Sequence, residues 1–248
     1  MPRDSGTLGN MRYQTSWFVS RSSVALALTF AVLSGPVSGR PVPVVPADGV
    51  VRGPARIIDG DTIDIAGTRI RLEGIDAPEV GQTCQNASGE TWDCGNAATR
   101  EMVGMTKERQ VDCQSSGLDK YGRLLGICFV DGVDINAQMV RRGYAWAFVR
   151  YSKRYVAEEA IAKTAALGIW QGPAVPAWEY RAQRWTTVAV NAPQGCAIKG
   201  NVSRGGLIYH MPWSPWYEKV AMRPERGTRW FCSESEATAA GWRPAMTR

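Results

Sequence analysis

The sequence predicts an α+β protein, a small closed barrel of short strands carrying helices, followed by a small C-terminal module. Three observations carry that expectation. Residues 56–75 alternate apolar and polar, with turn signals at Asp59-Gly60-Asp61 and Ala66-Gly67. Two further strand-like runs, 111–113 and 124–130, flank a polar turn. Helical spacing recurs between and after these runs, over 94–109, 134–142 and 155–167.

In chain order the first segment does not read as fold. Arg3, Arg12 and Arg21 precede an apolar run over 24–33, and Ser34-Gly35-Pro36 then leads to the small residues Val37-Ser38-Gly39. That is the order of a secretory signal, and the apolar run is short for a bilayer span. Residues 1–39 are therefore expected to be removed, leaving a secreted or periplasmic protein with no membrane span. Residues 40–54, rich in proline at their start, read as an extended linker. The barrel domain is expected over 55–172. Its first helix carries Ala97, Ala98, Met102 and Met105 on one face. The second is capped by Asp134 and ended by Gly143, and the third is Ala/Glu-rich with Gly168 at its end. Three strands, a helix, two strands and two helices suggest a five-stranded barrel of the OB type with three helices. Pro173, Pro176 and the tryptophan-containing stretch 178–185 mark a boundary, so 173–193 reads as a linker and 194–248 as a second, small module. The ten tryptophans are expected to anchor cores, with Trp146 the one placed for stacking.

Composition narrows the function classes. A hydrophobic share of 44% supplies a core and excludes general disorder, and the lack of a second long apolar run excludes a polytopic membrane protein. The net charge of +6 favours acidic partners such as nucleic acid. A single histidine, His210, argues against His-based triads and excludes multi-His zinc sites. All six cysteines follow the leader, and an even count in an exported chain implies disulfides. No C-x-x-C occurs. Cys84 and Cys94 bracket one loop, Cys113 and Cys128 lie in two strands flanking one turn, and Cys196 and Cys232 remain as a pair in the tail.

Three polar segments stand out: Ile58-Asp59-Gly60-Asp61-Thr62, Arg71-Leu72-Glu73-Gly74-Ile75-Asp76-Ala77-Pro78-Glu79 and Asp119-Lys120-Tyr121-Gly122-Arg123. Each alone suits an ordinary turn. Together, in this order and on this strand pattern, they resemble the staphylococcal nuclease family over about residues 55–171. Five functional positions match: Asp61, Arg71, Asp76, Glu79 and Arg123.

The chemistry of these residues stands without the resemblance. Phosphodiester cleavage needs charge neutralised on phosphate oxygens and a positioned water. Asp61 and Asp76 end two different strands as hard oxygen ligands, which suit Ca²⁺ better than zinc. Arg71 shares a strand face with Arg69 and Glu73, opposite Ile70 and Leu72. Its guanidinium can grip phosphate with two parallel hydrogen bonds, and Arg123 supplies a second clamp. Asp59 is an alternative metal ligand. Arg69, Glu73 and Asp119 are expected on a solvated face or in a turn.

The resemblance adds further roles. It implies one calcium held by Asp61, Asp76 and the backbone carbonyl at Ala77. It makes Glu79 the general base or water-orienting group, and has Lys120 and Tyr121 hold a neighbouring phosphate. Tyr151 matches one of two tyrosines flanking the family's nucleotide site, while Val149 stands at the other. The implied activity is calcium-dependent, sugar-nonspecific hydrolysis of DNA and RNA to 3′-phosphate products by a monomer. The alternative is a non-catalytic nucleic-acid or envelope binding protein on the same scaffold. The tail looks like a small module seen after nuclease-like domains in secreted bacterial proteins. It is also faintly similar to a zinc-binding module of DNA-repair proteins. Ser214, Ala245 and Arg248 stand where that module places metal-binding cysteines. A disulfide-stapled, metal-free module with a structural His210 is therefore expected.

Overall fold

The structure is a computed structural model that describes residues 46–119, 121 and 123–245. The expected signal segment and most of the proline-rich stretch lie outside the described residues.

Strands β1 (Val50–Ile57), β2 (Thr62–Ile65) and β3 (Thr68–Leu72) form an antiparallel meander. Ala66 and Gly67 join β2 to β3 at φ 50° and 86°, the positive values that a tight hairpin turn of matching twist requires. Then come β4 (Ile75–Asp76), a small hairpin of β5 (Cys84–Gln85) and β6 (Thr91–Trp92), and helix α1 (Cys94–Thr106). Strands β7 (Gln110–Leu118), β8 (Leu124–Val130) and β9 (Val133–Asp134) lead to helix α2 (Ile135–Arg141). β10 (Trp146–Ala147) and helix α3 (Val156–Thr164) complete the barrel domain.

β1 pairs with β2 through its second half and with β7 through its first half. β7 pairs with β8, and β8 returns to lie parallel to β3, with Ile70 opposite Leu124. That last pairing closes a five-stranded barrel of the predicted OB type. The period of two puts Ile63, Ile65, Ile70, Leu72, Val111 and Leu124 inside, all essentially buried, and leaves Arg69 and Arg71 on the other face. Each such aliphatic side chain stabilises the fold by roughly 1.5–3 kcal/mol relative to exposure.

The helices start where their caps sit. The Asp93 side chain accepts from the Asn96 amide and the Asp134 side chain from the Ala137 amide. α1 ends before 109 because Glu108 adopts a positive φ of 59°. α3 ends before 167 because Ala166 does the same at 48°. β7 runs beyond 113, since β8 pairs with it as far as Leu118 opposite Leu124. Asn136, fully buried on α2, ties that helix to the barrel: its oxygen accepts from the Cys128 amide and its nitrogen donates to the carbonyls of Glu73 and Gly126.

Residues 173–193 carry more than a connection. Helix α4 (Ala177–Ala189) buries Ala177 beside Trp146 and Ile169, while Trp185 packs on the core of the tail. That tail is a four-stranded sheet of β11 (Ile198–Ser203), β12 (Gly206–His210), β13 (Arg229–Phe231) and β14 (Arg243–Pro244), in the order β13-β11-β12-β14, with helix α5 (Glu234–Ala239). Ile198, Tyr209, Phe231, Ala237 and Trp242 fill its core. Disulfides join Cys84 to Cys94, Cys113 to Cys128 and Cys196 to Cys232, the three expected pairs. Trp146 is corrected: instead of offering a stacking face it is 3% exposed, with Trp170 and Trp178 packed edge-on against it.

Candidate active site

The turn 58–62 delivers the first carboxylates. The Ile58 and Asp59 amides both donate to the Thr62 carbonyl, and Asp59 accepts from the Asp61 amide at 3.0 Å. Gly60 is required here, because a Cβ would lie 2.7 Å from the Cβ of Ala77 and 2.9 Å from that of Ala98. The turn is thereby pressed between the strand that ends in Asp76 and the first turns of α1.

Asp61 is buried and accepts from the Ala77 amide at 2.7 Å and from the Thr62 hydroxyl at 3.1 Å. Arg71 stands opposite Thr62 in the β2–β3 register and reaches both acidic strand ends. It forms an ion pair with Asp61 and donates to Asp76 at 2.7 Å. Asp76 is wholly buried on β4, which is held by pairing with β10, Asp76 facing Trp146. Removing Arg71 would strand buried charge, a loss of about 3–5 kcal/mol for such pairs.

Glu79 follows Pro78 on a bend fastened by Gln82. The Glu79 amide donates to the Gln82 side chain at 3.0 Å, and Gln82 in turn donates to the Val175 carbonyl at 2.7 Å. Only glycine fits at position 95, at the start of α1, because a Cβ there would overlap the Glu79 carbonyl oxygen. Burial pushes the Glu79 carboxyl up to about 7, against the pull of Arg181. Withdrawal from water likewise raises the pKa of Asp59, against the pull of Arg71.

Arg123 approaches from the β7–β8 hairpin. Its amide and its guanidinium are both held by Asp119, at 2.8 and 2.6 Å. Asp119 lies in a turn, one of the two places expected for it, but its side chain is only 13% exposed and organises the turn around Arg123. Arg123 is an electrostatic neighbour of Arg71 and Asp59, so the hairpin faces the carboxylate cluster. Tyr121 lies under Arg123, ring centroid to Cζ 5.4 Å. Lys120 lies outside the described residues.

Tyr151 sits in a different grouping. It is 71% exposed and touches Phe148, centroids 4.9 Å apart, and Phe148 stacks on Trp178 at 5.5 Å. The Phe148 amide donates to the Gly74 carbonyl, which places this aromatic group beside β4. A cleft of about 110 Å³ separates Asp59 and Glu79 from Met211, Trp213 and Pro215 of the tail, so the tail forms one wall of the site.

The predicted Asp61, Arg71, Asp76, Ala77 and Glu79 thus converge, with Arg123 facing them. Sequence reasoning did not reach Gln82, Trp178 or Arg181. Arg181, on α4, donates to both oxygens of Asp76 (3.1 and 2.7 Å) and to Glu79 at 2.7 Å. The only local hint of it was the tryptophan-flanked stretch assigned as a boundary. For a hard divalent cation the donor chemistry fits: Asp61 and Asp76 are two buried carboxylates converging on one guanidinium. Among the described residues no cluster of three or more His, Cys, Asp or Glu forms a closed protein cage. A cation here would therefore complete its shell with backbone oxygen and water.

Residues 69–172 match the family described as staphylococcal nuclease homologue. The chain is 37% identical over 122 residues to the succinoglycan biosynthesis protein ExoI of Rhizobium meliloti, covering 48% of this chain and 64% of that protein. It is 35% identical over 156 residues to the micrococcal nuclease of Shigella flexneri, covering 55% of this chain and 84% of that one. A similarity of 28% to endonuclease YhcR of Bacillus subtilis runs over 95% of this chain but only 19% of that protein, so it extends into the tail.

Proposed function

This chain belongs to the staphylococcal nuclease family, and from that premise we propose that it is an exported, calcium-dependent, sugar-nonspecific nuclease. Its substrates are DNA and RNA and its products carry 3′-phosphates. The observation that carries the reading is the convergence of Asp61, Arg71, Asp76 and Glu79 from three separate segments into one buried cluster.

Asp61, Asp76 and the Ala77 carbonyl would hold Ca²⁺, which when bound supplies positive charge to the phosphate. Arg71 and Arg123 offer two planar, permanently charged forks for phosphate oxygens. Glu79 orients a water or takes its proton, and a carboxyl pushed up to about 7 is poised for either near neutral pH. The water oxygen bonds to phosphorus as the bond to the 5′-oxygen breaks. Lys120 and Tyr121 hold a neighbouring phosphate, and Tyr151 stacks a base. The phosphate contacts are made to the backbone and stacking accepts any base, so binding is weakly sequence-selective and salt-sensitive. Export is supported by the three disulfides. No helix among the described residues is long and apolar enough to cross a membrane. The protein acts as a monomer.

The test is cleavage of DNA and RNA by the mature protein with Ca²⁺ and with excess chelator, followed by end-group analysis. Full activity in chelator, or 5′-phosphate products, would overturn the reading.

A further inference from the structure

Guanidinium groups occupy both oxygens of the Asp76 carboxylate. Its Oδ1 accepts from Arg71 at 2.7 Å and from Arg181 at 3.1 Å, and its Oδ2 accepts from Arg181 at 2.7 Å. Arg181 also donates to Glu79 at 2.7 Å. The residue lies on α4, outside the stretch 69–172 that matches the family. α4 follows the last strand and helix of the barrel, so the chain adds this residue from a segment beyond it. Arg71 donates to one oxygen of this carboxylate. Arg181 takes both, in the two-pronged geometry that guanidinium makes with carboxylate. It also bridges to the second carboxylate of the cluster, as a divalent ion would. Its charge is permanent, so it cannot step aside by losing a proton. Oδ1 already accepts from both guanidinium groups, so an ion that ligates the buried Asp76 meets Arg181 at either oxygen.

We propose that Arg181 is a built-in counter-cation of the candidate calcium site, and that a divalent ion must displace its guanidinium from Asp76 to bind. α4 thus sets the affinity for the ion. Without the ion Arg181 offsets part of the charge on Asp76 and Glu79, and with it the ion does. The helix that presents Arg181 is anchored on both sides. Trp178 stacks on Phe148 of the barrel, and Arg184 donates to the Pro212 carbonyl of the tail at 3.1 and 3.2 Å. The guanidinium is thereby held over Asp76 at high local concentration, and competition with the ion is intramolecular. The inference rests on the calcium reading above.

Calorimetric titration of Ca²⁺ into the mature protein without nucleic acid tests it, together with thermal unfolding in chelator. Arg181→Gln should bind Ca²⁺ about tenfold or more tighter than the unaltered protein, within the usual range of site–site coupling. It should also unfold at a lower temperature in chelator and gain more from added Ca²⁺. Arg181→Lys, which keeps the charge but loses the two-pronged fit, should fall between. It serves as the readout if Arg181→Gln does not fold. Unchanged or weaker Ca²⁺ binding in the folded variants, with the unaltered protein binding normally, overturns the inference and leaves the calcium reading standing. Absence of Ca²⁺ binding in all three proteins overturns both.

Discussion

Asp119 holds Arg123 twice, by the backbone amide at 2.8 Å and by the guanidinium at 2.6 Å, so one carboxylate shapes the hairpin tip and aims its cation. The Tyr121 amide donates to the same carboxylate at 2.9 Å. Asp119→Ala should therefore lower kcat/KM by about tenfold through Arg123, whereas Arg123→Ala should cut kcat by about 10²-fold or more. The double variant should be no worse than Arg123→Ala alone, because residues acting as one unit are not additive. Steady-state kinetics of the three variants check this, and additive losses would separate the two residues.

Glu79→Gln should cut kcat by about 10²-fold or more with KM little changed, since the amide keeps the shape but cannot take a proton. It should also keep the Gln82 contact, which is made by the Glu79 backbone. Single-turnover cleavage measures the chemical step directly. An unchanged rate would remove Glu79 from the reaction.

The Cys113–Cys128 bond joins residues directly opposite each other on β7 and β8, at the base of the hairpin that carries Arg123. It closes a loop with a sequence separation of 15. Replacing both cysteines with alanine should cost about 3 kcal/mol by the chain-entropy account. Denaturant unfolding measures the loss, and non-reducing peptide mapping of the exported protein checks all three pairs.

His210 should make the tail sensitive to acid. Burial, helped by the Lys199 charge across β11–β12, holds its imidazole below the ordinary 6.5. Its Nδ1 is buried without a hydrogen-bond partner among the described residues. The unfolded chain therefore binds the proton first as the pH falls. Stability is complete above about 6.5 and declines as the pH drops through that value toward the lower folded one. Unfolding of the unaltered protein and of His210→Gln across pH 5–8 checks the slope, of which the variant should lose the part that His210 contributes.

Local signals in the sequence determined the barrel and which candidate residues it gathers. Alternation over 56–75 set which side chains fill the barrel, and Asp134 and Gly143 marked the ends of α2. Asp61, Arg71, Asp76 and Glu79 lie within 19 residues of one another in the sequence, so the strand–turn geometry that gathers them is written locally. The cysteine pairs were legible for the same reason, each lying within one hairpin, loop or module. Other features were decided only by tertiary structure. Arg181 meets Asp76 across a separation of 105 residues, and Gln82 meets Val175 across 93. No periodicity or spacing encodes such contacts; they arise when α4 packs its Ala177 end on the barrel. Trp146, placed for stacking by its position in the sequence, is buried because Trp170 and Trp178 close over it. Burial is a property of the whole packed chain. A charged or aromatic residue in a connecting stretch acquires its role only when the segments on either side have folded against each other.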